Sequence, residues 1–564
     1  MPPLRPYITA VGVFVAISLV VLQLDALSEP ASNEPPALSV RVAVPAPAAA
    51  AGPAPAAAES EATRAAAAAR ALALDAMLER GKAAINATMV QRAPGLQWSQ
   101  LARGVMSSGR LAPYLSLADK ALRINASGEA AGEIITAVLF GGSTAAGEEL
   151  GSPDQGFAYM YGAFLQEVLQ VPVAVTNLAM GATSSDYYAL CGGSHMLPGG
   201  SDIILAEHAL NDLFYAHHTF GNFGSTGKFD ASPHMGSILE QVLQQARTRA
   251  PDAVFFYAGV IPNSGRCWSG EDNPGNAAAL AHWDVGYAST RNLVLGRPPN
   301  GSLWAAWEWG QQASNCALEP PFTWQSMFPI GAHPVGMANV YLSLILASAT
   351  VNALEALRAA GWAAPPPAPP PAPLHALGHD DPCMGGPPFD CRTSFTPNTG
   401  AQLKPLPTDC VVTWAGRVPA FDPETCGDVF SSDPSPLTPV VGWTYTVMGD
   451  NRLNNPGMRV RHDVKTYWFA EKLNATIRFP VRVGARGQIG VAFFNGHVFG
   501  EVRAEIRCGA GPAPCDLHAP TTVRAISGQR VTTTRIPFRG LPPGLYILEI
   551  TSWPAQFGIV AVAG

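Results

Sequence analysis

The run Ile134–Gly147, IITAVLFGGSTAAG, decides how the rest of the chain is read. Ile135 to Phe140 carry no charge, which suits a parallel strand covered on both faces. Gly141 and Gly142 then let the backbone turn sharply, and Gly147 lets the following segment pack close. The turn leaves Ser143 as the hydroxyl nucleophile candidate. It stands at the carboxyl end of a parallel strand, where α/β folds place their chemistry.

Outward from that run, residues 95–362 alternate strand-like and helix-like patterns. Strands are predicted at Ile134–Phe140, Val173–Asn177, Ile203–Glu207 and Ala253–Ile261, and helices at Phe157–Leu169, Met235–Arg249 and Val335–Ala359. Such alternation implies βαβ units, a parallel sheet and helices on both of its faces. Residues 262–330, rich in Trp, Gly and Pro, read as long loops over the top of the sheet.

The same region supplies four marks in order: GGSTAAG with Ser143, NLAMGATS with Gly181, ALND with Asn211 and AHPVG with His333. This set resembles the SGNH (GDSL-like) hydrolase superfamily over roughly residues 134–355. The resemblance implies a three-layer α/β, flavodoxin-like hydrolase domain. It also implies Ser143 as nucleophile, His333 as base, and an oxyanion site built from the backbone N–H of Ser143, that of Gly181 and the side-chain amide of Asn211. Three positions depart from the family pattern. Gly142 stands where the family has Asp, and Ala209 where it has Gly. Ile330 occupies the place of the triad acid, three residues before His333. Either a backbone carbonyl orients His333, or an acid such as Glu308 or Glu319 reaches in, or the site is slow or dead.

Composition bounds the alternatives. The chain has 564 residues, so two or three domains are expected, and 48% hydrophobic against 14% charged residues allows large cores. With net charge −7 and no Lys/Arg block, nucleic acid is not an expected partner. Tyr7–Leu24 is an 18-residue uncharged run preceded by Arg5 and followed by Asp25. That length meets the requirement for a bilayer span, and the positive flank predicts a type II orientation with the body in the secretory pathway, in the Golgi or at the cell surface. Cleavage near Ala26-Leu27-Ser28 would instead release a secreted protein. Nine cysteines fit that compartment, with Cys383/Cys391, Cys410/Cys426, Cys508/Cys515 and Cys267/Cys316 as possible pairs and Cys191 left over. Asn86, Asn125, Asn300 and Asn474 head N-x-S/T sequons. No cysteine spacing suits structural zinc, and neither a metal nor a cofactor is expected.

The resulting organisation is a signal-anchor (1–27), an Ala/Pro-rich stalk (28–61), an Ala-rich helix (62–94), the hydrolase-like domain (95–362), a Pro-rich linker (363–380), a Cys/Pro-rich irregular segment (381–439) and an all-β domain (440–564). In the last, runs such as ATIRFPVRV and GLYILEIT alternate with period two between turn residues, which predicts an antiparallel β-sandwich. His195, His208, His217 and His218 lack ligand spacing and read as incidental. Trp268, Trp283, Trp304, Trp307, Trp309 and Trp324 read chiefly as packing of the insertion, with a sugar-lining surface as the other use. The expected activity is that of a membrane-anchored serine esterase acting on acyl, foremost acetyl, esters of a glycan. Another ester substrate such as a lipid ester is the neighbouring reading, and a glycan O-acyltransferase or a catalytically weak or inactive glycan-binding membrane protein of the same fold is the alternative.

Overall fold

The computed structural model describes residues 61–127, 133–147, 150, 152–179, 181, 183–189, 201–209, 211–212, 232–261, 274–295, 318–328, 333–363, 410–412, 440–448, 465–470, 472–483, 489–495, 501–508, 519–524, 531–542, 544–552 and 557–563. The Tyr7–Leu24 run, the stalk, most of the irregular segment and Ile330 lie outside the described residues, as do the cysteines other than Cys410 and Cys508. By contact the chain divides into residues 1–64 and 65–564, and of the first unit only the opening turn of one helix is described.

Six strands form the α/β sheet: β1 (Val105–Ser108), β2 (Ile135–Gly141), β3 (Val173–Asn177), β4 (Ile203–Glu207), β5 (Val254–Gly259) and β6 (Gly286–Ser289). Their spatial order is β1-β6-β5-β4-β2-β3, parallel throughout except for the antiparallel edge strand β1. From β2 the chain steps outward to β3 and then returns to β4 on the other side, so the doubly wound topology reverses between β2 and β4.

Burial explains why these runs are apolar without alternation. Ile135, Ala137 and Leu139 of β2, with Ile203 and Leu205 of β4 and Phe256 of β5, join one core. The intervening Val138, Phe140, Ile204 and Ala206 are equally buried on the opposite face. The first face is covered by α1 (Glu61–Arg92), α2 (Trp98–Gly104), α3 (Leu111–Ser127), α5 (Phe157–Leu169) and α10 (Met337–Ala359). Of the other helices, α4 is Ser143–Ala146, α6 is Ser232–Arg249, α7 is Pro274–His282, α8 is Thr290–Leu295 and α9 is Trp324–Met327. Helix α6 buries Ile238, Leu239, Val242, Leu243 and Ala246 at helical spacing.

The packing of the Ala-rich helix, open in the sequence, is fixed by its contacts, and one expectation is corrected. The weakly amphipathic Ala-rich helix packs as part of the α/β domain: Leu74, Met77, Leu78, Ile85 and Met89 enter its core, and Arg70 holds Asp119 of α3 through two hydrogen bonds of 2.7 and 2.8 Å. The stretch 262–330 is not loop throughout, because α7, β6 and α8 occupy Pro274–Leu295 and β6 is an inner strand. Its sequence, GYAS, shows no apolar period because Phe256 of β5 fills that space; a Cβ on Gly286 would lie 2.5 Å from the Phe256 ring. Among the described residues one helix, α10, is long and apolar enough to cross a membrane, and 83% of its apolar window is buried in this core.

Among its described residues the C-terminal part is built of antiparallel strands. Strands β10 (Thr476–Val483), β15 (Gly544–Ser552), β12 (Glu501–Cys508) and β13 (Thr521–Arg524) form one sheet. The second runs β14 (Val531–Phe538), β11 (Ile489–Asn495), β16 (Phe557–Ala563), β9 (Lys465–Ala470) and β8 (Trp443–Met448), with β7 (Cys410–Val412) also on β16. Ile477, Phe479 and Val481 of β10 share a core with Val491 and Phe493 of β11, as a two-sheet sandwich requires. Pro480 is tolerated because β10 is an edge strand of its sheet. On the outer face Arg478 and Arg507 each meet Glu549 at 2.6 Å and hold its carboxylate below the usual range, overcoming the opposing effect of burial.

Candidate active site

Ser143 opens α4 immediately after β2. The connection is made tight by two glycines. A Cβ on Gly141 would stand 2.2 Å from the Glu207 carbonyl oxygen, and one on Gly142 would stand 2.0 Å from Asn211 Nδ2. Gly142 also donates its N–H to the Glu207 carbonyl at 2.8 Å, which ties the turn before Ser143 to the end of β4. Gly147 closes α4 in the left-handed region, φ 81°, and donates back to the carbonyls of Ser143 and Thr144.

The Ser143 hydroxyl lies 2.8 Å from Nε2 of His333. The two residues are 190 apart in sequence, and a chain of polar contacts holds the distant one in place. Gln100 donates to the Pro320 carbonyl at 2.8 Å, the Thr323 hydroxyl accepts from the Ser326 N–H to cap α9, and the Val335 N–H reaches the Met327 carbonyl at 3.0 Å. Asn339, buried in the first turn of α10, donates to the Pro334 carbonyl at 2.9 Å and accepts from the Phe157 N–H at 3.1 Å. It therefore joins the residue after His333 to the start of α5.

Asn211 follows β4 and is buried. Its Nδ2 donates to the Thr183 carbonyl at 2.6 Å, and the Thr183 hydroxyl donates to the Gly141 carbonyl at 3.0 Å. The first bond fixes which way the amide points, and it leaves the second N–H of Nδ2 for another acceptor. Gly181 sits buried in the turn after β3, two residues before Thr183. The structure thus brings Ser143, His333 and Asn211 together through the carboxyl ends of β2 and β4 and the start of α10. The flanks of the topological switch point are where a parallel sheet leaves a crevice.

Glu319 is not the missing acid. It pairs with Arg103 of α2, whose guanidinium also reaches the Leu293 carbonyl. Glu308 lies outside the described residues. Of the histidines read as incidental, His208 is fully buried between Phe140 and Tyr188, with ring centroids 5.4 and 4.6 Å away, and the other three lie outside the described residues. Burial pushes the His208 imidazole down to about 3. Among the tryptophans read as packing, Trp283 is buried and donates to Glu240 at 2.8 Å, and Trp324 stacks at a tilt on Phe328; the rest lie outside the described residues.

Several contributors are plain only in three dimensions. The Tyr188 hydroxyl donates to the Gly141 carbonyl at 3.1 Å and the Leu178 carbonyl at 3.3 Å, which clasps the ends of β2 and β3. Asn177 donates to the Ala145 carbonyl at 2.9 Å and accepts from the Ala179 N–H at 2.9 Å. Asp212 accepts from the Ser185 N–H and hydroxyl, both at 2.7 Å, and from the Tyr257 hydroxyl at 3.3 Å. Burial, aided by the nearby Asp186, raises its carboxyl to about 7 in spite of those bonds. The signals were adjacent ones: Thr183 lies two residues past Gly181, Asp212 follows Asn211, and Asn339 lies six past His333.

No protein-family model matches the chain and no curated protein does. Solved structures are similar at low identity. One is a two-domain esterase active on acetylated mannans, co-crystallised with mannopentaose, at 12% identity over 82% of this chain and 97% of that one, TM-score 0.47. Another is an acetyl xylan esterase, at 10% identity over 38% and 99%, TM-score 0.26. A carbohydrate-binding module of a Cellvibrio mixtus lichenase, in complex with cellotriose, is similar at 16% identity over 22% and 88%, TM-score 0.16.

Proposed function

We propose that this chain is an SGNH-type serine esterase that removes acyl groups, foremost acetyl, from a glycan through an acyl-serine intermediate. The observation that carries the reading is the 2.8 Å contact between Ser143 Oγ and His333 Nε2 at the switch point of a parallel sheet. Neutral His333 takes the hydroxyl proton as Ser143 Oγ bonds to the ester carbonyl carbon. The carbonyl oxygen becomes the oxyanion, held by the N–H groups of Ser143 and Gly181 and by the free N–H of Asn211. Collapse breaks the bond to the sugar oxygen, which leaves with the proton from His333. Water, deprotonated by His333, then attacks the acyl-serine and releases the carboxylic acid and free Ser143. We place the enzyme on the membrane through Tyr7–Leu24, with its body in the secretory pathway, and read the β-sandwich as the appended domain that meets the glycan.

A fluorophosphonate probe tests the central step. Labelling of the purified protein between about pH 6 and 8 is expected at Ser143, and to be abolished in Ser143→Ala and His333→Ala. Folded protein that takes no label at any pH in that range would leave the fold without the chemistry.

Gly142 gives a second test. Because a Cβ there would lie 2.0 Å from the Asn211 amide, Gly142→Ala should displace the amide from Thr183 while leaving Ser143 and His333 in contact. The expected result is a kcat lower by roughly 10- to 100-fold, since displacements of about an ångström carry costs of that order. Steady-state ester hydrolysis beside probe labelling checks it, and an unchanged kcat would mean that the amide is not needed where it stands.

A further inference from the structure

Away from Ser143, helices α1, α2 and α10 enclose a trough of about 480 Å³. It is floored by the buried Ser348 and Val351 and walled by Trp98, which is 43% exposed. The ring Nε1 donates to Asn86 Oδ1 at 3.4 Å. Opposite it, Lys82 bridges Glu355 at 2.9 Å and Glu79 at 3.5 Å, and Arg358 meets Glu79 at 3.5 Å.

We propose that this trough is a second carbohydrate-binding site, which takes unmodified sugar rings of the polymer whose esters the Ser143 site attacks. The proposal rests on the glycan reading of that site. Its chemistry argues for a neutral polyol. The two lining carboxylates, Glu79 and Glu355, are both already paired with the one lining cation, Lys82, and Glu79 also meets Arg358 outside the lining, so a free ion of either sign gains little there. The floor offers no deep apolar slot for a lipid chain or a large side chain. What remains is one flat aromatic face beside amide and charged groups that both donate and accept, and its volume falls in the range of small-ligand sites. Ser348 lies 11 residues beyond Met337, so at 1.5 Å per residue the trough begins about 17 Å down α10 from the His333 end. A polymer can touch both places, whereas a small ester touches one.

Retention of the full chain on insoluble mannan, xylan and cellulose provides the test, run beside hydrolysis of p-nitrophenyl acetate. Trp98→Ala is expected to weaken retention on at least one polymer by about tenfold, as removal of a central aromatic contact does, and to leave p-nitrophenyl acetate turnover unchanged. Trp98→Tyr should restore most of the retention by returning a flat ring. Glu355→Gln, which keeps the ring but removes a charged partner of Lys82, should weaken retention less than Trp98→Ala. Equal retention of wild type and Trp98→Ala, or no retention of the wild type on any of the three polymers, would overturn the proposal. Wild type that fails to cleave p-nitrophenyl acetate yet loses retention in Trp98→Ala would sink the esterase reading and leave the trough standing.

Discussion

Asn211→Ala is expected to lower kcat by about 10²- to 10³-fold, some 2.7–4 kcal/mol of barrier, with KM little changed. The argument starts from geometry. The amide of Asn211 is buried against Gly142, and one of its two N–H groups is spent on the Thr183 carbonyl at 2.6 Å. That bond costs nothing during turnover because it is present before substrate arrives, and it holds the other N–H still. A donor fixed in advance stabilises charge that develops only in the transition state, so its removal falls on kcat rather than on ground-state binding. Asn211→Asp has nearly the same shape and no N–H, and it sets a carboxylate against the Thr183 carbonyl. It should therefore be no more active than Asn211→Ala. Loss of the one buried hydrogen bond should cost about 1 kcal/mol of stability, too little to account for the rate effect. Steady-state kinetics on a soluble ester, with thermal unfolding alongside, checks both halves. A kcat within tenfold of wild type would mean that backbone N–H groups suffice for the oxyanion.

The region around that amide also marks where sequence reading stops. Strands β2, β4 and β5 were legible because both of their faces are buried, which leaves an almost wholly apolar run, whereas the edge strand β3 is only half-buried along its length. Strand β6 was not legible, because its fit depends on Gly286 yielding space to Phe256, a contact between strands that no local pattern encodes. At the site, Ser143, Gly181, Asn211 and His333 stood out as motif residues. Thr183 did not, because its contribution to Asn211 is a backbone carbonyl and any residue type carries one. Asn339 was hidden for a related reason. In sequence it is a polar residue in an apolar helix, and only the packing of α5 against α10 shows that it joins the Pro334 carbonyl to the Phe157 N–H. Gly142 illustrates the reverse case. Its departure from the family's aspartate was visible in the sequence, and the structure supplies a reason, since a side chain there would occupy the place of the Asn211 amide.

Two buried titratable groups beneath the site should give this domain opposing pH dependences that nearly cancel. His208 has both ring nitrogens without a hydrogen-bond partner, and burial lowers it from 6.5 to about 3. Below pH 6.5 the unfolded chain binds a proton there that the folded chain refuses, so the stability due to neutral His208 is complete above 6.5 and declines as pH falls. Asp212 runs the other way: burial raises it from 3.8 to about 7. Between those values the folded chain holds a proton that the unfolded chain has lost, so stability declines as pH rises. Each slope is at most about 1.4 kcal/mol per pH unit, and between about pH 4 and 6.5 they oppose each other. His208→Phe should remove the first, so that its stability relative to wild type climbs as pH falls through that window. Asp212→Asn should remove the second, so that its relative stability climbs as pH rises from about 4 to 7, whatever constant cost the lost Ser185 geometry adds. Urea unfolding of the variants and wild type across pH 4 to 8, followed by helical circular dichroism, reads both slopes. If either difference curve is flat, the group behind it is solvated or paired in solution and does not carry the burial penalty assigned to it.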